Sequence, residues 1–286
     1  MLWNKSRSSD NVVESEGGGG GFGLGPIHLG FGGTVIAIII AILFPQTRGI
    51  IFGLLAGGGA PTPQQTTQAD ASDPQVNFVK HILGSTEDVW SAYFQKMGQT
   101  YVDPKLVLFH GQVNTACGGA SAAVGPFYCP GDKQVYLDLD FFQELATRFH
   151  SDSDFARAYV IAHEIGHHVQ DQLGIMDAEQ KAHARGAPME GANGLSVRLE
   201  LQADCFAGVW ANQSQQQLQW LQPGDVESAL NAASQIGDDT LQRESQGTVM
   251  PDSFTHGTSA QRVRWFKTGF QSGDISACDT FKAQQL

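Results

Sequence analysis

The chain has 286 residues, 29 acidic side chains against 17 basic ones, a formal charge of -12 and 41% apolar content. That is enough for one large domain or two small ones, and it excludes a short peptide or a long repeat array. A nucleic-acid partner needs a basic face to meet phosphates, and this balance leaves little charge to build one.

The charge is unevenly placed. Residues 1–60 hold Lys5, Arg7 and Arg48 against Asp10, Glu14 and Glu16, so the whole negative excess lies beyond them. Residues 17–47 contain no Asp, Glu, Lys or Arg; ten glycines fall in 17–33 and the apolar core TVIAIIIAILF follows at 34–44. A helix needs about 20 mostly apolar residues to cross the hydrocarbon, and residues 27–45 approach that length. They are expected to form a single transmembrane anchor, with 1–26 as a cytoplasmic glycine-rich tail and 46–75 as a flexible linker. A second apolar patch, GIIFGLLA at 49–56, is too short to span. The rivals are a buried core helix, disfavoured by the glycine-rich flanks, and a cleaved signal peptide, disfavoured by a long n-region that is not basic.

Cys117, Cys129, Cys205 and Cys278 all follow the apolar run. An even number suits two disulfides and an oxidising compartment, which puts residues 76–286 on the extracytoplasmic side of the membrane. Four cysteines allow three pairings. Cys117 with Cys129 could close the glycine-rich loop between them, and Cys205 with Cys278 could tie a helix to the C-terminal segment. The absence of C-x-x-C pairs argues against a four-cysteine zinc site.

Beyond the linker, Ser85 is placed to cap a helix that carries Trp90, Phe94 and Met97 on one face and stops at Gly98. KLVLFH (105–110) and QVYLDLDFF (134–142) are β-rich. The second alternates Val135, Leu137 and Leu139 against Tyr136, Asp138 and Asp140, which predicts a half-exposed strand and a candidate edge for pairing with an extended peptide. Helical patterns follow at 154–173, 195–212, 226–236 and 259–270. Strands before helices predict an α+β fold with a small sheet and a helical C-terminal half.

The chemistry concentrates in AYVIAHEIGHHVQDQLG (158–174), which holds His163, Glu164 and His167 as H-E-x-x-H. Residues four apart share one helical face, so two imidazoles converge on one ion while Glu164 stands beside them. Phe155, Tyr159, Ala162, Gly166, Val169 and Leu173 supply the apolar stripe of that helix. The spacing suits Zn2+, which needs a third protein ligand and an open position for water if it is catalytic. His168 is turned about 100° away on the helix and reads as a surface or supporting histidine, not a ligand. RLELQADCFA (198–207) offers Glu200 as third ligand, with Asp204 one turn on to hold a ligand histidine through its other ring nitrogen. A solvated Glu/Asp face is the alternative, countered by Leu199, Leu201, Ala203, Cys205 and Phe206 around it.

These segments resemble the neutral zinc metallopeptidases of bacterial membranes, similar in motif to the gluzincins (HExxH with a downstream ExxxD). The resemblance rests on SDNV (9–12), the glycine-rich stretch and single span, GPFYCP (125–130), VIAHEIGHHVQ (160–170), ELQADCFAGVW (200–210) and PDSFTHGTSAQR (251–262). It implies a zincin-like peptidase fold behind one anchor helix, with His163, His167 and Glu200 on zinc, Glu164 as general base and Asp204 behind a ligand. It further implies that His256 and Arg262 assist the oxyanion as in some membrane gluzincins, although Gly257 stands where those relatives have proline. The expected activity is a membrane-anchored endopeptidase acting on peptides or proteins. The rival class is a non-catalytic binding or scaffolding protein with a structural metal.

Overall fold

The computed structural model describes residues 1–15, 66–121, 125–147 and 153–286. Five short segments, rich in β-branched and aromatic residues, pair into one sheet: β1 (Val12–Ser15), β2 (Thr66–Gln68), β3 (Lys105–Phe109), β6 (Phe127–Cys129) and β7 (Gln134–Asp138). The order is β2-β1-β3-β7-β6, with β1, β3 and β7 parallel and the two outer strands antiparallel to their neighbours. A separate antiparallel ribbon joins β4 (Gln112–Thr115) to β5 (Gly118–Ser121). Eight α-helices lie among the described residues: α1 (Pro74–Lys96), α2 (Asp140–Thr147), α3 (Asp154–Gln172), α4 (Ile175–Ala184), α5 (Leu195–Leu218), α6 (Asp225–Gln235), α7 (Asp238–Gln246) and α8 (Ser259–Ser272). The expected α+β class with a helical C-terminal half is found.

Alternation along the strands sends Leu106, Leu108, Val135 and Leu137 into the main core, which includes Trp90, Phe155, Phe206, Trp210 and Phe266 from the helices. Val107, Phe109 and Tyr136 form a second core with Val113 and Phe127. This corrects two expectations for residues 134–142. The strand is buried on both faces because a second cluster covers the side that alternation assigns to solvent, and it is an interior strand, paired by β3 and β6. Asp138 is buried with its carboxylate accepting the Gly111 and Asp140 backbone N–H groups, so the strand ends there and Asp140–Phe142 opens α2.

α1 begins eleven residues before Ser85. Pro74 occupies the first turn, where its missing N–H costs nothing, and Asp73 caps by accepting from Gln75 N and Val76 N. Ser85 is buried in mid-helix, donating to the Ile82 carbonyl and accepting from Trp210 Nε1 at 3.1 Å. Trp90 and Phe94 face the core as expected, Met97 is exposed, and the helix stops before Gly98 at φ +72.

The segments expected to be a tail and a linker contribute to the sheet. β1 pairs with β3 on one side and β2 on the other, so residues 1–15 and 66–75 belong to the same fold as the helices. The apolar run at 27–45 lies outside the described residues; among those described, no helix is long and apolar enough to cross a membrane.

Of the three possible pairings, the structure adopts Cys117–Cys129 and Cys205–Cys278. The sequence separations of 12 and 73 correspond, by loop-closure entropy, to about 3 and 4 kcal/mol. Denaturant unfolding of a Cys205→Ala, Cys278→Ala double variant should therefore show the larger loss, about 4 kcal/mol, and the corresponding Cys117, Cys129 pair the smaller. Equal losses would mean that native contacts, not chain entropy, set the contribution.

Candidate metal centre

α3 starts at Ser153, whose hydroxyl caps Ala156 N, and ends before Gly174 in the left-handed region. Its central turns are buried, so His163, Glu164 and His167 project within the protein and not into bulk water. α5 crosses close by because position 166 has no side chain: a Cβ there would stand 3.0 Å from the Ala203 carbonyl oxygen. That approach brings Glu200 to the two histidines.

His163 Nε2 lies 3.1 Å from Glu200 Oε2, and His167 Nε2 lies 3.5 Å from Glu200 Oε1. Two donors held tetrahedrally at about 2 Å from zinc stand about 3.3 Å apart, so these separations bracket the spacing the ion requires. The three ligand atoms all fall within 4.8 Å of one another. A second group, His110, Asp138 and Asp140, meets the same distance limit, but two members are exposed and Asp138 already accepts two backbone N–H groups.

The tautomers suit a metal as well. Gln170 donates its Nε2–H to the Leu199 carbonyl and to Gln202, so its Oε1 accepts from His167 Nδ1, 2.9 Å away. His163 Nδ1 donates to Asp204 Oδ1 at 2.8 Å. Both Nε2 lone pairs are thereby left for an ion. Asp204 also accepts from Tyr159 Oη at 2.5 Å and from Arg262 Nε and Nη2 at 2.9 and 3.0 Å. Burial alone would raise the Asp204 carboxyl, but the Arg262 guanidinium and His163 hold it down at about 2. Burial would lower His163, yet Asp204 and Glu200 carry it to about 10 in the metal-free chain. A proton there occupies the place of a cation.

Glu164 is buried beside the trio but is not part of it. Burial raises its carboxyl, opposed by the two histidines and by a hydrogen bond from the Tyr128 backbone N–H. Among the described residues β6, which carries Tyr128, is the terminal strand of the sheet.

The remaining expectations divide. His256 is held from behind, its backbone N–H donating to Asp238 Oδ2 at 2.7 Å and its Nδ1 lying 3.3 Å from Asp238 Oδ1. Burial lowers its pKa, but Glu200 and then Asp238 raise it overall, so the ring lies within the field of the trio. Arg262 is placed differently from the expectation. Its guanidinium is buried and committed to Asp204 and the Tyr159 hydroxyl, so it orients a ligand's partner and does not face a reacting carbonyl. His168 is no ligand, but it is buried, not on the surface: its Nε2 bonds the Val102 carbonyl at 2.8 Å and Nδ1 lies 3.2 Å from the Tyr128 hydroxyl. Sequence reasoning took Tyr159 as apolar stripe and gave Gln170 no role; Gln170 sits three residues after His167, a spacing that does point toward its ring. It also missed Glu179 on α4, a buried carboxyl pushed up to about 7 by burial and then by Glu200.

Two imidazoles and a carboxylate, each ring fixed from behind and a further carboxylate alongside, make a donor set of the kind that holds zinc. Residues 1–281 match the family described as "Putative neutral zinc metallopeptidase", and the chain belongs to that family. It is 47% identical over 287 residues to "Uncharacterized protein YpfJ" of Escherichia coli K12, covering 98% of this chain and 99% of that one. It is 44% identical over 238 residues to "Uncharacterized protein Rv2575" of Mycobacterium tuberculosis H37Rv, covering 80% and 78%. No solved structure matches it significantly.

Two outcomes are expected. Asp204→Asn should weaken zinc binding 10- to 100-fold, as loss of a partner behind a ligand does, measured by competition with a chromophoric chelator. The metal-free chain should also lose stability as pH rises. His163 has a folded value near 10 against 6.5 unfolded, so its contribution is complete below 6.5 and disappears as pH passes 10. Asp204, near 2 against 3.8, contributes above 3.8 and loses its contribution as pH falls through 2. Denaturation midpoints of chelator-treated protein should fall from pH 6.5 to 10; a flat profile would show that His163 carries no proton against Asp204.

Proposed function

We propose that the protein is a zinc-dependent endopeptidase that hydrolyses peptide bonds of peptide or protein substrates, with Glu164 as general base. The observation that carries this reading is Glu164 itself: a buried carboxylate next to the ligand trio, outside it, and anchored by the Tyr128 N–H. The trio has three members among the described residues, which supports an open coordination position. Bound zinc supplies Lewis acidity and lowers the pKa of water towards about 7. Glu164, raised by burial, accepts the proton of the attacking water and passes it to the leaving amine. His256, oriented by Asp238, is proposed to donate to the substrate carbonyl oxygen as negative charge develops on it. Arg262 keeps Asp204 ionised and His163 in register.

An extended substrate is proposed to pair along β6, not β7. The Tyr128 N–H is directed to Glu164 on α3 and away from the β7 ladder, so a peptide laid on that edge has its backbone beside the general base. Backbone pairing constrains the main chain and makes few demands on side chains. The two disulfides support an extracytoplasmic location.

A non-catalytic metal-stabilised scaffold has no use for a general base, so Glu164→Gln separates the readings. The variant should keep its zinc and lose activity on a denatured-protein substrate by 10²- to 10⁴-fold, the usual contribution of general acid–base catalysis. His256→Ala should lower kcat by about 10²-fold or more with KM little changed. A wild type that binds zinc and cleaves nothing across a broad substrate set would remove the peptidase reading.

A further inference from the structure

α4 turns one face inward. Ile175, Met176, Glu179, Ala182 and His183 recur at helical spacing and are shielded from solvent, whereas the four residues between them are exposed. Ile175 and Met176 pack against the main core. The centre of that face is the one residue of the helix that is buried, and it is Glu179, 7% exposed. An inward stripe calls for an apolar side chain at its centre, and a carboxylate goes there only against the ordinary preference of charged groups for water.

The other buried carboxylates at the centre have partners: Asp204 has His163, Tyr159 and Arg262, Glu200 has both ligand imidazoles, and Glu164 has the Tyr128 N–H. Glu179 differs. Among the described residues no donor hydrogen-bonds its carboxylate and no cation stands within ion-pairing distance; Lys181 and Arg185, the cations nearest in sequence, are exposed. Its oxygens are absent from the fully enclosed unpartnered polar atoms, so they remain reachable from outside. Glu179 lies outside the group of ligand atoms that meet within 4.8 Å, yet Glu200 and His167 are the nearest influences on its charge after burial itself. The same two residues act on Glu164, so Glu164 and Glu179 border one pair of ligands.

We propose that Glu179 determines specificity at this centre: its carboxylate receives a cationic group of the substrate, a lysine or arginine side chain or a free amino terminus, in a subsite next to Glu200 and His167. The inference rests on the reading of the centre as a peptidase. A buried anion without an internal partner gains most from a cation that arrives with the ligand, because a charge-assisted hydrogen bond then offsets the desolvation the fold has already imposed. A neutral side chain leaves that cost in place, so the carboxylate discriminates between substrates of equal size. Backbone pairing along β6 makes few demands on side chains, and Glu179 supplies one that depends on charge.

The test reads binding, not hydrolysis. The full chain carrying Glu164→Gln is loaded with zinc and titrated, by fluorescence polarisation, with end-blocked neutral peptides in which a single lysine replaces norleucine at each position in turn. The lysine-free peptide is also compared with a free and with an acetylated amino terminus. Lysine at one position, or the free amine, should tighten binding about 10-fold or more. Adding Glu179→Gln should bring that ratio to about 1, and Glu179→Asp, which keeps the charge, should retain part of it. Lysine dependence identifies a side chain as the ligand, and amine dependence the chain terminus. Peptides that bind with no preference for charge, a preference that survives Glu179→Gln, or loss of zinc from Glu179→Gln would each overturn the proposal. Failure of every peptide to bind would instead remove the peptidase reading, and the subsite with it.

Discussion

One buried carboxylate organises this molecule. Asp204 is inaccessible to solvent, and an unpaired charge in that position would cost several kcal/mol. It is balanced by donors from two other helices: His163 and Tyr159 of α3, and Arg262 of α8. Three helices far apart in sequence must therefore meet at one point before the charge is satisfied. Once they do, the His163 ring is fixed with Nε2 turned to Glu200, and the geometry needed by a metal follows from a contact on its far side.

The rest of the fold serves that junction. Cys205, next to Asp204, is tied to Cys278, which fastens α5 to the C-terminal segment. Gly166 admits α5 to the distance at which Glu200 reaches both imidazoles. On the other side, β6 delivers a backbone N–H to Glu164, so the sheet contributes to the site through main chain, not side chain. The two carboxylates in question have opposite surroundings. Asp204 is held ionised by a guanidinium, whereas Glu164 is raised by burial, opposed by the two imidazoles and one amide.

Much of the centre is legible in one dimension because its residues sit on single helices. His163, Glu164 and His167 share a face by helical period, and Glu200 with Asp204 repeats the same spacing on α5. The boundaries of α3, α6 and α8 were readable from apolar periodicity to within two residues. Ser85 was misread because a hydroxyl before an apolar stripe has the same local signature whether it caps a helix or bonds a tryptophan from another one. The alternation of 134–140 was read as half exposed because period two reports two faces but not what covers them; here the β4–β5 ribbon and Phe127 complete a second core.

The sequence by itself determined the metal-binding pattern, the α+β class and the presence of paired cysteines, since each depends on spacing within one element or on composition. Only the tertiary structure decided which cysteines pair, that Arg262 lies behind the centre and not over a substrate, that β6 and not β7 is the edge, and that residues 1–15 complete the sheet. All four are contacts between segments distant in the chain. Local periodicity carries no information about them, because they are selected by which buried groups find partners when the whole core closes.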